Sequence, residues 1–213
     1  MRRAPGVLPA WHRRQFSELT VTSDRFATHV VENQVPPLSG FNAFDDDPLL
    51  GELVAAGAPW ARDRCVALGA VVGDPGVQEA ARLANRYSPE LRTHDPQGGR
   101  LDQVDYHPAY HQCMALAFGH GVHALAWTAE QPGGQVARAA LSYLWNQVEN
   151  GTACPTGMAY AAVPALRASE GLAGWAEKLA VFGYDPRSVP LEEKTAVTIG
   201  YAMTEKQGGS DLR

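Results

Sequence analysis

From residue 47 to residue 182 the apolar residues return every three or four positions, and helix punctuation separates one stripe from the next. This constrains the fold most, because an apolar stripe at helical spacing is buried only when helices pack on one another. Asp45-Asp46-Asp47-Pro48 opens the first helix: Asp47 is the N-cap, Pro48 takes the first helical position, and the acids face the positive end of the dipole. Leu49, Leu50, Leu53 and Val54 follow at helical spacing, Gly57 and Pro59 break the run, and a second helix is expected from Trp60 to Leu68. Pro75 opens a third, whose stripe Val77, Ala80, Ala84, Tyr87 and Leu91 is expected to be buried. A loop holding Asp95, Pro96, Gly98 and Gly99 leads to a helix from Pro108. Gly133-Gly134 precede a longer helix with Val136, Ala140, Leu144 and Val148 on one face, widened by Ala137, Leu141 and Trp145. Gly151 reads as its C′ glycine, and 158–166 and 172–182 as two short helices.

The pattern changes near the C-terminus. Thr195-Ala196-Val197-Thr198-Ile199-Gly200-Tyr201 is β-branched and aromatic, which reads as a strand. At the other end, Val35-Pro36-Pro37-Leu38-Ser39-Gly40-Phe41-Asn42 is expected to run extended over a surface. Residues 1–17 carry Arg2, Arg3, Arg13 and Arg14 with no acid before Glu18, and Val7-Leu8-Pro9-Ala10 is too short for a secretory core. A basic, flexible tail is expected there.

Composition excludes several classes. Hydrophobic residues at 45% with 19% charged support a packed core rather than disorder. A net charge of −5 argues against a nucleic-acid or anionic-membrane binder, so DNA is not an expected partner of this chain. No apolar run reaches the roughly 18 residues of a membrane span. Cys65, Cys113 and Cys154 are sparse and odd in number, and read as small buried hydrophobes in a reducing, cytoplasmic compartment. His107 and His111 stand four apart, and His120 lies close to His123. Neither pair comes with the further ligands of a zinc site, and no metal is expected. P-loop, Rossmann and G-x-S-x-G signatures are absent.

The chemistry is carried by Tyr201-Ala202-Met203-Thr204-Glu205-Lys206-Gln207-Gly208-Gly209-Ser210-Asp211. Two glycines let backbone N–H groups approach an anion, Ser210 adds a hydroxyl, and Thr204 offers a hydroxyl and an amide. Residue chemistry alone leaves two readings open, an ordinary surface turn and such a cradle. The stretch Met203 to Asp211 resembles the flavin signature Thr-Glu-x-x-x-Gly-Ser-Asp of the acyl-CoA dehydrogenase superfamily, in the Lys-Gln-Gly-Gly version of its AidB-like, alkylation-response branch. Asn33 to Phe44, Ala84-Asn85-Arg86 with Pro89-Glu90-Leu91, Arg100 to His111, Gly133 to Ala140 and Glu149 to Pro155 resemble the same branch, in order.

That resemblance implies a mainly α fold: a basic tail at 1–27, a helical N-terminal domain at 28–190, and at 191–213 the first strand of a middle β-domain. It implies FAD as cofactor, with contacts from Tyr201, Ala202, Met203, Thr204, Glu205, Lys206, Gln207, Gly208, Gly209 and Ser210. In the family the threonine, here Thr204, meets the pyrimidine side of the isoalloxazine, and the serine, here Ser210, lies near the phosphates and the acyl thioester. The family reaction removes an α proton from an acyl-CoA thioester while the flavin takes the β hydride. Family members continue through a β-domain and a C-terminal bundle that supply the catalytic carboxylate, so no acid here is nominated as the base. A homo-oligomer, by family a homotetramer, is also implied. The alternative is a non-catalytic helical oligomerisation or interaction module of an alkylation-damage-response protein.

Overall fold

In a computed structural model of the chain, the described residues are 28–29, 32–202, 204, 206, 208 and 209. The chain divides into two units, Met1–Pro37 and Leu38–Arg213. In the first, residues 32–37 form neither helix nor strand and are exposed, as two adjacent prolines lead one to expect. The expected basic tail, 1–27, lies outside the described residues.

The second unit holds α1 Pro48–Gly57, α2 Arg62–Val72, α3 Pro75–Arg86, β1 Glu90–His94, β2 Arg100–Asp105, α4 Pro108–Gly119, α5 Leu125–Thr128, α6 Gly134–Asn146, α7 Ala153–Ala168 and α8 Ala173–Leu179. Single 3-10 turns occupy Pro59–Ala61 and Leu191–Glu193. The mainly α expectation holds. Three helices start on an acceptor side chain followed by proline. Asp47 Oδ1 accepts from Leu50 N at 2.9 Å, Asp74 Oδ1 from Gly76 N and Val77 N, and His107 Nδ1 from Ala109 N. Each device satisfies amide groups that the first helical turn leaves unpaired.

Helix α6 lies at the centre of the core. Its Ala137, Ala140, Leu141, Leu144 and Trp145 are buried, and α1, α2 and α5 pack on it, while α3 packs on α4 and α7 on α8. The stretch 41–44 docks on α2: Ala43 N donates to Gly69 O, and Asn42 Nδ2 donates to Val66 O at 3.0 Å. A Cβ at Gly69 would collide with Asn42 Oδ1, so close docking needs a glycine there. Gly133 has φ 89° and lies against the Gly57 carbonyl oxygen, which allows the chain to turn sharply into α6.

Several expectations need correction. The stripe from Val77 to Leu91 is not continuous: Val77 and Ala80 are buried, but α3 ends at Arg86, Tyr87 is 49% exposed, and Leu91 is 67% exposed on β1. Pro89 disfavours helical backbone at Ser88. Beyond it, Asp95 Oδ1 accepts from Gln97 N and Gly99 N, closing a hairpin that pairs Leu91 with Val104 and Arg92 with Gln103. Val136 is partly exposed rather than core. Gly151 does not cap α6, which stops at Asn146; it lies in the turn that starts α7. Helix α2 runs on to Val72, and α7 begins at Ala153. Of the cysteines, Cys65 and Cys113 are buried but Cys154 is exposed. Burial pushes the Cys65 thiol up to about 11 and the Cys113 thiol up to about 12, as inert packing residues.

The expected strand 195–201 forms no ladder among the described residues. Instead Val197 N donates to Lys178 O at 3.3 Å, and Ala196 and Val197 are buried. A strand needs a neighbouring strand for its hydrogen bonds, and among the described residues the sheet holds β1 and β2 alone.

Candidate functional site

The segment leading to the signature is held by one carboxylate. Asp185 is buried to 8% exposure, and its Oδ2 accepts from Thr195 N at 3.0 Å and Thr195 Oγ1 at 3.3 Å. Arg187 grips the same group, Nε to Oδ1 at 2.9 Å and Nη2 to Oδ2 at 2.7 Å. The Arg187 guanidinium, then the Thr195 amide, hold this carboxyl well below the usual carboxylate range. Lys194 Nζ donates to the Asp185 carbonyl at 2.7 Å, and Lys178 Nζ on α8 donates to Leu191 O and Glu192 O. The loop 185–195 is thus closed on itself and tied to α8.

Past Gly200 the described residues are exposed. Tyr201, Ala202, Thr204, Lys206, Gly208 and Gly209 all lie on the surface. Thr204 and Gly209 face one another closely: a Cβ on Gly209 would stand 3.2 Å from Thr204 Oγ1. The bare glycine leaves that hydroxyl uncrowded. Met203, Glu205, Gln207 and Ser210 lie outside the described residues.

Two further groups were not read as functional from the sequence. The first is Glu149, 2% exposed, whose Oε1 accepts from Gly151 N at 2.7 Å and Asn85 Nδ2 at 3.0 Å. Its Oε2 accepts from Thr152 N at 2.6 Å and from Thr152 Oγ1, which in turn accepts from Trp145 Nε1. An acid just ahead of a helix is the signal that could have found it, since the carboxylate neutralises the amino end of α7. The second is an aromatic cluster around His111, whose Nδ1 lies 2.9 Å from the Tyr184 hydroxyl. Tyr106 stacks on Tyr110, and burial pushes the Tyr184 hydroxyl up to about 12.

The histidine pairs separate chemically. His107 caps α4 and stacks on Tyr87, while His111 bonds Tyr184. His123 is fully buried against Phe118 and its Nε2 lies 3.1 Å from Val181 O. Among the described residues no three His, Cys, Asp or Glu side chains come together as a metal group, and no helix is long and apolar enough to cross a membrane.

A family model, the adaptive response protein AidB N-terminal domain, matches residues 33–186. AidB of Escherichia coli (strain K12), which bears an acyl-CoA dehydrogenase name, is 41% identical over 189 residues, covering 87% of this chain and 35% of that protein. Among solved structures, the apo form of Bd2924 is 23% identical with a TM-score of 0.71, over 85% of this chain and 36% of that one. Caenorhabditis elegans ACDH-11 in complex with C11-CoA is 21% identical with a TM-score of 0.68, over 87% of this chain and 32% of that one. These two likenesses concern the fold. The chain spans about a third of the length of each relative. With its helices, its docked Asn42 stretch and the Glu149–Asn85 contact accounted for, the chain belongs to the AidB N-terminal domain family.

Proposed function

We propose that this chain is the N-terminal helical part of an FAD-dependent, acyl-CoA dehydrogenase-like oxidoreductase, and that its signature segment forms one wall of the flavin site. In this reading 28–190 is the helical domain and 191–213 opens the β-domain. The observation that carries it is the exposed pair Thr204 and Gly209, close to one another just beyond a segment held by Asp185 and Lys178. Thr204 and Ser210 would bind the cofactor with their hydroxyls, and Gly208 and Gly209 with their backbone amides. Bound FAD supplies the hydride acceptor for CH–CH oxidation of an acyl-CoA thioester. The chain's own share is positioning and hydrogen bonding. Each such contact contributes on the order of 1 kcal/mol net, too little alone to offset the several kcal/mol lost on immobilising a ligand as large as FAD. The isolated chain is therefore expected to retain no flavin after desalting.

The test is a chimera in which this chain replaces the matching third of E. coli AidB. Its absorption spectrum after desalting reports bound flavin. Thr204→Ala and Ser210→Ala are expected to weaken flavin binding about fivefold each. Unchanged affinity in both variants would overturn the reading.

One observation favours a second reading, association between copies of this chain without catalysis. Leu49, Leu53, Val136 and Tyr143 line an apolar groove of about 630 Å³ between α1 and α6. Such exposed apolar surface is a common mark of association. Sedimentation of the chain carrying Leu53→Asp separates the readings: loss of self-association supports the second, and an unshifted monomer in both proteins removes it.

A further inference from the structure

The Asp185 carboxylate does more than close a loop. It joins residues ten positions apart, and its Thr195 partner is followed directly by Ala196 and Val197, both buried. Ile199 packs on the core, and Gly200 lies beside Met158 of α7. The next residue, Tyr201, is exposed, and the signature begins. The last fixed point before Thr204 is therefore Gly200, and four residues span at most about 14 Å.

We propose that Asp185 is a positioning residue for the segment 201–209: by accepting from the Thr195 amide it fixes the point at which that segment leaves the helical body. Arg187 is secondary, because it is half exposed and its ion pair is weakened by solvent. Lys194 closes the other side of the clasp through the Asp185 carbonyl. The bearing of this device on flavin rests on the reading above, but the placement of the segment does not.

The test measures placement directly. Spin labels go on the exposed Cys154 of α7 and on Lys206→Cys, while the buried Cys65 and Cys113 are replaced by alanine or left unlabelled. The distance distribution between the labels is recorded for the otherwise unchanged chain, Asp185→Ala and Asp185→Asn, together with far-UV helicity. A narrow distribution is expected in the parent and a broad one in Asp185→Ala at unchanged helicity. Asparagine still offers an oxygen to the Thr195 amide, so it is expected to restore the narrow distribution. Hydrogen exchange at amides 195–200 is expected to rise about tenfold in Asp185→Ala only. A parent distribution already broad, or an Asp185→Ala distribution as narrow as the parent's, overturns the proposal. If Asp185→Ala does not fold, Lys194→Met is read by the same criteria. No flavin enters the measurement, so a chimera that fails to bind FAD leaves this result standing.

Discussion

Asn85 and Glu149, 64 positions apart, are joined by a 3.0 Å hydrogen bond that ties the last turn of α3 to the entry of α7. Glu149 is nearly inaccessible and accepts four hydrogen bonds, so the carboxylate replaces its lost hydration entirely with protein donors. Glu149→Gln sets an amide donor against amide donors on one side. A loss on the order of 3 kcal/mol is expected, or a fall in Tm of about 6–12 °C for a chain this size. Asn85→Ala removes one of the four donors, and about 1 kcal/mol is expected. Thermal melts of the two variants check both the order and the size.

Acid sensitivity on one side of the molecule follows from Asp185. Its folded pKa is depressed relative to about 3.9 in the unfolded chain, so its contribution is fully present above that value. The contribution is lost as pH falls below 4 toward the folded pKa. The Tm difference between the parent and Asp185→Asn is therefore expected to be constant from pH 5 to 7 and to shrink below pH 4. A difference that grows on acidification would contradict the Arg187 and Thr195 assignment.

His123 acts in a different window. Burial pushes it down to about 4 from an ordinary 6.5, so the unfolded chain takes up its proton first. Stability carried by neutral His123 is complete above pH 6.5 and falls as pH drops from there through 4, by on the order of 2 kcal/mol at pH 5. His123→Phe keeps an aromatic ring against Phe118 and removes the titration. Urea midpoints at pH 7 and pH 5 are expected to converge, with the variant gaining on the parent as the pH falls.

Leu91 tests the hairpin. As part of a buried helical stripe, an aspartate there would be severely destabilising. On the exposed face of β1 it is expected to change stability by less than about 0.5 kcal/mol. Ala80→Asp, on the buried face of α3, is expected to cost several kcal/mol. Equal effects of the two substitutions would put Leu91 back in the core.

What the amino-acid sequence determined by itself was local. Asp47-Pro48 starts α1 where the residues say, and the α6 positions Ala140, Leu144, Ala137, Leu141 and Trp145 are buried as their spacing requires. The signature from Tyr201 to Ser210 could be recognised only as a string of residues, and the described part of it lies on the surface. These features depend on one helical turn, one cap or one run, all within a few residues. The tertiary structure decided the rest. Tyr87 and Leu91 continue a helical period on paper, but Pro89 and the cross-strand partner Val104 turn that stretch into a hairpin. Thr195 to Tyr201 has strand composition, yet its hydrogen bonds depend on a neighbour, and Val197 finds Lys178 of α8 instead. The sequence alone assigns no partner to Glu149 or Asp185; the fold brings Asn85, Thr152, Arg187 and Thr195 to them. A buried charge is tolerated only where the fold supplies its partners: Thr152 and Arg187 lie within three residues of their acids, but Asn85 and Thr195 reach them only through the fold.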